Sequence, residues 1–161
     1  MLPVHMDAFI NVHRQRYQDN PHHFRSERLC FLDHVWGLDV DDIYVPVKFK
    51  NEHWIVIWIS ISKRHIVVWD SFLTHIKAAD LDVLMESFVN MVPYLLVECA
   101  GSSEERVKHT VKPYTYERVT VGLPQYRAGD CGVFALKYIE CHALGMSFPP
   151  EFCNKNTKAI R

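Results

Sequence analysis

Residues 130–145, DCGVFALKYIECHALG, set one cysteine on the boundary between a polar turn and a long apolar stretch. Asp130 suits the N-cap of a helix and Gly145 its C′ position, so the spacing predicts a helix from Cys131 to Leu144. Its polar positions, Lys137, Glu140 and His142, are few, and a helix with so narrow a polar face has most of its circumference covered. The expectation is a central buried helix with Cys131 in its first turn. There the sulfur meets the positive end of the helix dipole and unpaired backbone N–H groups, both of which favour thiolate over thiol. Cysteine is also among the most frequently buried residues, and position alone fits a small core hydrophobe better. Gly129 and Gly132 on either side admit either a substrate backbone close to the sulfur or a closely packed neighbouring element.

Upstream, IYVPVKF (43–49), HWIVIWISI (53–61) and RHIVVWDSF (64–72) are rich in β-branched and aromatic residues and are separated by polar turns, which predicts three strands. In the second and third, both alternating faces are apolar, as in a sheet covered on both sides. Met6, Phe9, Ile10, His13 and Tyr17 recur at helical spacing ahead of Pro21, predicting an amphipathic helix over 5–19. AADLDVLMESFVNMV (78–92) predicts a further helix ending before Pro93. PYLLVEC (93–99) then reads as a strand, GSSEER (101–106) as an exposed loop and YTYERV (114–119) as another strand. The order predicts an α+β domain whose mainly antiparallel sheet packs on the helix that starts at Cys131.

With 161 residues, 48% of them hydrophobic, the chain has the size and composition of one domain, 1–161, with a real core. Lys and Arg (18) nearly balance Asp and Glu (19), so no global field draws nucleic acid or an anionic membrane. The cysteines at 30, 99, 131, 141 and 153 are odd in number and lack C-x-x-C spacing, which fits an intracellular, reducing setting. Cys30, Cys99, Cys141 and Cys153 are expected to be structural thiols. The start, MLPVHMDAF, carries no secretory pattern, and the longest apolar run, WIVIWISI, is too short to cross a bilayer as a helix. His22-His23 and Cys141-His142 are adjacent pairs whose side chains diverge, so no metal site is expected.

A nucleophilic thiol needs a base and a group that orients the base. His53 opens the second predicted strand and Asp70 closes the third. With Ser62-Lys63 as the connecting turn, residue 53 lies opposite 72 and residue 70 opposite 55, making His53 and Asp70 diagonal neighbours on one face. A register slip of one residue would send them to opposite faces. Singly, His53 also reads as a polar strand terminus and Asp70 as the start of an Asx turn. Gln125, six residues before Cys131, can offer its amide to an oxyanion beside the Cys131 backbone N–H, although a loop glutamine is often merely solvated. Trp54 suits the wall of a peptide channel, whereas Trp58 and Trp69 suit the core. Glu117, Arg118 and Arg127 read as solvated surface ahead of the alternative, contact with substrate.

HW (53, 54), DS (70, 71) and QYRAGDCG (125–132), in that order, resemble the ubiquitin-like-specific cysteine protease family, the SUMO/sentrin-protease group of the adenovirus-protease-like clan, in its C-terminal catalytic domain. The resemblance runs over roughly residues 5–155. It implies a papain-like α+β cysteine-protease fold and cleavage after the C-terminal Gly-Gly of a ubiquitin-like modifier, SUMO or a relative, through thiolate attack and an acyl-enzyme. Carried over, Cys131 is the nucleophile, His53 the general base, Asp70 the orienter and Gln125 the oxyanion donor, while Trp54, Gly129 and Gly132 line the substrate channel. It implies no cofactor and no metal, a modifier or its conjugates as partner, a monomer, and the nucleus or cytoplasm as the address. The family's W-L-N-D stretch has only Asp7 as counterpart in VHMD (4–7). Both ends are expected to be trimmed. The missing tryptophan motivates the alternative of a weak or inactive modifier-binding module of mobile-element origin. Acyl transfer, a third reading, lacks a basic patch for its cofactor.

Overall fold

The computed structural model describes residues 11, 12, 15, 16, 18–23, 29–31, 40–98, 100, 102–125 and 130–149. Its centre is the most apolar segment of the chain. HWIVIWIS forms strand β3 (His53–Ser60), buried along its whole length. β2 (Asp42–Phe49) and β4 (His65–Trp69) flank it antiparallel. Two outer strands, β1 (Leu29–Phe31) and β5 (Thr115–Arg118), pair in parallel with β2 and β4, giving the order β1-β2-β3-β4-β5. The expected antiparallel core is therefore present, and both edges make the sheet mixed. β1 is an element that the sequence reading did not anticipate: LCF is three residues long and carries no alternation to detect.

Helices α1 (Ala78–Glu98), α2 (Ser103–Lys108) and α3 (Cys131–Ala143) accompany the sheet among the described residues. Because strand side chains alternate, β3 feeds two cores at once. Trp54, Val56 and Trp58 join Val67 and Trp69 in packing on Val133, Phe134, Tyr138 and Ile139 of α3. Ile55, Ile57 and Ile59 join Ile66 and Val68 beneath Leu81, Met85, Val92 and Leu96 of α1. Each such side chain contributes about 1.5–3 kcal/mol on burial, which is why the sheet lies between helices. Trp58 and Trp69 stack in the core at 5.9 Å between ring centroids, and the Trp58 indole N–H donates to buried Asp42 at 2.6 Å. Among the described residues no helix is long and apolar enough to cross a membrane.

The β3–β4 register is the predicted one: Val56 lies opposite Trp69 and Ser60 opposite His65. Extended by the same rule, it sets 53 against 72 and 55 against 70. At the other end of β3, Lys50 and Asn51 turn the chain with φ of 45° and 60°, and Glu52 N–H donates to the Phe49 carbonyl at 3.0 Å. This tight left-handed turn makes His53 the first paired residue of its strand.

Two expectations about residues 78–108 are corrected. α1 does not stop before Pro93 but continues through it to Glu98, so PYLLVEC is helical rather than a strand. A proline inside a helix leaves the carbonyl four residues earlier without its N–H donor. Here that carbonyl, Val89, accepts the backbone N–H of Tyr114 at 2.9 Å. The segment read as an exposed loop, GSSEER, enters α2 at Ser103, whose first turn is closed by Arg106 N–H donating to the Ser102 carbonyl at 3.0 Å.

α3 begins and ends where the sequence predicts. Asp130 is its N-cap residue, and its carbonyl accepts the N–H groups of Val133 and Phe134, although its side chain makes no capping bond. At the other end Gly145 adopts φ 66°, Met146 N–H reaches the Cys141 carbonyl at 2.8 Å and Gly145 N–H reaches the His142 carbonyl at 3.1 Å. That pair of bonds is the Schellman arrangement. The predicted N-terminal helix is helical at its described positions, 11, 12, 15, 16, 18 and 19, which are exposed. The apolar positions that predicted it lie outside the described residues.

Candidate active site

His53 and Asp70 meet at the end of the β3–β4 hairpin, with Nε2 of the imidazole 2.6 Å from Oδ1 of the carboxylate. Both side chains are nearly out of solvent, at 4% and 0% exposure, so the contact is made in a low-dielectric setting that strengthens it. The same Oδ1 accepts the backbone N–H of Phe72 at 2.8 Å. Asp70 thus forms the Asx turn and orients the histidine with one oxygen, two readings that the sequence left as alternatives.

With Nε2 engaged by Asp70, the imidazole's other nitrogen is left over, and His53 and Cys131 each shift the other's ionisation. Cys131 opens α3, half-buried, and the backbone N–H of Trp54 lies 3.4 Å from its sulfur. Burial opposes charge at this sulfur. The hydrogen bond from His53, the N–H groups of Trp54 and Gly132 and the imidazolium charge outweigh it, so the thiol ionises below its ordinary value. Burial likewise opposes protonation of His53, but the hydrogen bonds to Asp70 and Cys131 and the attraction of both raise its pKa to about 9. Asp70 is held below its usual value in spite of burial by His53, the Phe72 N–H and Arg118. These directions favour the thiolate of Cys131 and the imidazolium of His53, with a carboxylate behind them.

Gln125 lies beside this group. Its Nε2 is 3.3 Å from the Asp70 carbonyl and 3.4 Å from that of Leu123. The preceding Pro124 carbonyl accepts the Tyr138 hydroxyl, which fastens the loop to α3. Gly132 is buried in the first turn of α3. Gly129 and Arg127 lie outside the described residues. The Trp54 indole is buried in the α3-side core at 8% exposure, and its Nε1–H has no partner among the described residues. Lys48, its cross-strand neighbour, sets its ammonium 5.9 Å from the ring centroid.

Arg118 is the residue whose expected place the structure corrects. It is not solvated surface: its side chain is 15% exposed and pairs with Oδ2 of Asp70, while it also donates to the carbonyls of Leu73 (2.8 Å) and Ile76 (2.9 Å). Nothing within TYERV distinguishes it from its neighbour Glu117, which is exposed and 3.5 Å from His65. The distinction comes from the parallel register of β5 on β4, which places Arg118 beside Val68. Cys141, expected to be structural, is buried, and burial pushes its thiol pKa up, the opposite of Cys131. The neighbouring His142 is used structurally, accepting or donating at 2.7 Å with the Tyr44 hydroxyl.

Comparison with known proteins places the chain in a family. The model of the "Ulp1 protease family, C-terminal catalytic domain" matches residues 4–161. A curated relative, the putative ubiquitin-like-specific protease 1B of Arabidopsis thaliana, is 29% identical over 124 residues, covering 77% of this chain and 33% of its own length. The chain thus spans about a third of the length of that relative. Among solved structures, the SUMO protease Ulp1 with its catalytic cysteine oxidised to a sulfonic acid is similar with a TM-score of 0.50 at 20% identity, over 76% of this chain and 56% of that one. The sulfinic acid form of the same enzyme gives a TM-score of 0.50 at 18% identity over 91% of this chain and 61% of that one. At these identities the structural likeness establishes the fold.

Proposed function

The chain belongs to the Ulp1 protease family, to its C-terminal catalytic domain, and from that premise we propose that it is a thiol peptidase cleaving a ubiquitin-like modifier after its C-terminal glycine pair. The observation that carries the reading is the buried His53–Asp70 pair at 2.6 Å beside the Cys131 sulfur that opens α3, an arrangement that shifts the thiol down and the imidazole up. A buried structural cysteine, such as Cys141, is shifted the other way.

The proposed reaction uses each group once in each half. The Cys131 thiolate attacks the carbonyl carbon of the modifier's last glycine, and the carbonyl electron pair moves to oxygen. The Cys131 backbone N–H donates to that oxyanion, joined by a Gln125 amide N–H released from the Asp70 or Leu123 carbonyl. As the C–N bond breaks, the His53 imidazolium gives its proton to the departing amine, leaving a thioester on Cys131 and a neutral imidazole. Neutral His53 then takes a proton from water while the water oxygen attacks the thioester. The thiolate departs, the modifier leaves as a carboxylic acid, and the imidazolium–thiolate pair is restored. Asp70 keeps the ring oriented and stabilises its charged form throughout. Trp54, Gly129 and Gly132 would border the channel for the glycine pair, where side chains larger than hydrogen are excluded. The chain acts as a single catalytic domain, as a monomer, on the modifier or its conjugates. The proposed setting is the nucleus or cytoplasm, where reducing conditions keep Cys131 as a thiol.

The test is intact-mass detection of a covalent adduct with a panel of ubiquitin-like modifiers carrying a C-terminal thiol-reactive warhead, with Cys131→Ala as control. One modifier forming an adduct that the variant lacks identifies nucleophile and substrate together. Folded protein that reacts with none of them is a binding module instead.

A further inference from the structure

We propose that Arg118 is a positioning residue of the catalytic centre, fixing Asp70 and the segment 71–76 that walls His53 by holding three acceptors at once. The inference rests on the reading of Cys131, His53 and Asp70 as the reacting group. It adds a residue from β5, a strand outside the hairpin that carries His53 and Asp70.

The geometry is that of a clamp. Register partners in a sheet share a face, so Arg118, beside Val68, projects on the face that carries Asp70 two residues further along. Its two terminal nitrogens take Asp70 Oδ2 together with the Leu73 carbonyl, and the Ile76 carbonyl. Asp70 is left with no free rotation: Oδ1 is committed to His53 and Phe72, and Oδ2 to Arg118. Between the clamped points the chain presents Phe72 and His75. Their rings lie 6.3 Å and 4.9 Å from that of His53 and stack on each other at 5.7 Å. His75 is itself tied to Glu52, the residue before His53, at 3.8 Å.

A lysine could not do this. Its ammonium is a point charge on a flexible stem, whereas the planar guanidinium presents donors in fixed directions to acceptors that diverge. The alternative, a buried arginine that merely stabilises the fold, would leave the chemistry of Cys131 unchanged in any variant that still folds.

The experiment compares wild type, Arg118→Lys and Arg118→Gln by three readouts: the pH dependence of Cys131 alkylation by iodoacetamide, kcat and KM on a fluorogenic ubiquitin-like modifier, and the melting temperature. Alkylation needs no modifier, so it separates the two readings. Wild type alkylating only at the pH of an ordinary thiol would remove the catalytic group itself. If wild type shows the acidic thiol, Arg118→Lys is expected to move the alkylation midpoint toward higher pH and to lower kcat about 10–100-fold with KM within about 2-fold, as misplacement of a catalytic group does. Arg118→Gln should show the same or more. Should Arg118→Gln not fold, Arg118→Lys decides alone. Arg118→Lys with wild-type alkylation and kcat, whatever its melting temperature, overturns the proposal.

Discussion

Asp70 Oδ1 accepts two donors at once, the His53 ring at 2.6 Å and the Phe72 backbone N–H at 2.8 Å. The Asx turn therefore aims the carboxylate, and the carboxylate aims the imidazole. Asp70→Asn should keep the side chain's shape and lose the charge that stabilises imidazolium, lowering kcat/KM about 100–10,000-fold. It should also cost about 3 kcal/mol of stability, because the half-buried Arg118 guanidinium loses its counter-ion. Modifier hydrolysis kinetics and urea denaturation on the same preparation check both numbers.

The ion pair fixes the pH response. The Cys131 thiol is shifted down and the His53 imidazole up to about 9, so the reactive pair exists between the two. The rate of alkylation should rise below the pH of an ordinary thiol, and kcat/KM should fall as pH passes about 9 and the imidazolium is lost. His53→Ala should return the alkylation midpoint to the ordinary range. For stability the sign is set by the folded value exceeding the unfolded one. The contribution of His53 is complete below about pH 6.5 and disappears as pH rises through about 9. Asp70, shifted the other way, contributes above its unfolded pKa and loses that contribution in acid. Cys131, shifted down, gains stability over the same rise in pH and offsets the loss at His53, so denaturant midpoints should change little between about pH 6.5 and 9.

Pro93 is tolerated inside α1 because Tyr114 N–H takes the Val89 carbonyl. Replacing a helix-interior proline ordinarily recovers about 3 kcal/mol. Pro93→Ala should recover less than about 1 kcal/mol, since the carbonyl is already partnered and the buried ring leaves space behind. A urea-derived gain near the full value would mean that the bond to Tyr114 contributes nothing.

Gly145 closes α3 with φ 66°, in the left-handed region. Gly145→Ala should lower stability by about 1 kcal/mol through the strained Cβ, and Gly145→Asn by less. Neither should alter kcat, because the closing turn lies at the end of α3 opposite to Cys131. Thermal denaturation and turnover measured together distinguish this from a broader disturbance.

The placement of Cys131, His53 and Asp70 was largely legible in the sequence because it is built by local rules. The polar spacing around Cys131 announces α3 and both of its ends, and Ser62-Lys63, taken as the turn between HWIVIWISI and RHIVVWDSF, gives the hairpin register. That register, fixed by a four-residue turn, is what carries His53 to Asp70. Arg118 was not legible, since an arginine on a short strand of alternating exposure looks the same whether it faces water or a carboxylate. Pro93 misled for a related reason: the local rule ends a helix there, and the donor that lets the helix continue comes from Tyr114, 21 residues on.

The sequence by itself determined the helix that presents the thiol, the hairpin that pairs His53 with Asp70, and the two-sided burial of β3, because periodicity and turn chemistry are properties of neighbouring residues. Only the tertiary structure decided the parallel edges of the sheet, the passage of α1 through Pro93 and the clamp of Arg118 on Asp70. Each of these depends on a hydrogen-bond partner supplied by a distant segment, and the free energy of such a bond is set by which groups burial brings together rather than by the residues on either side.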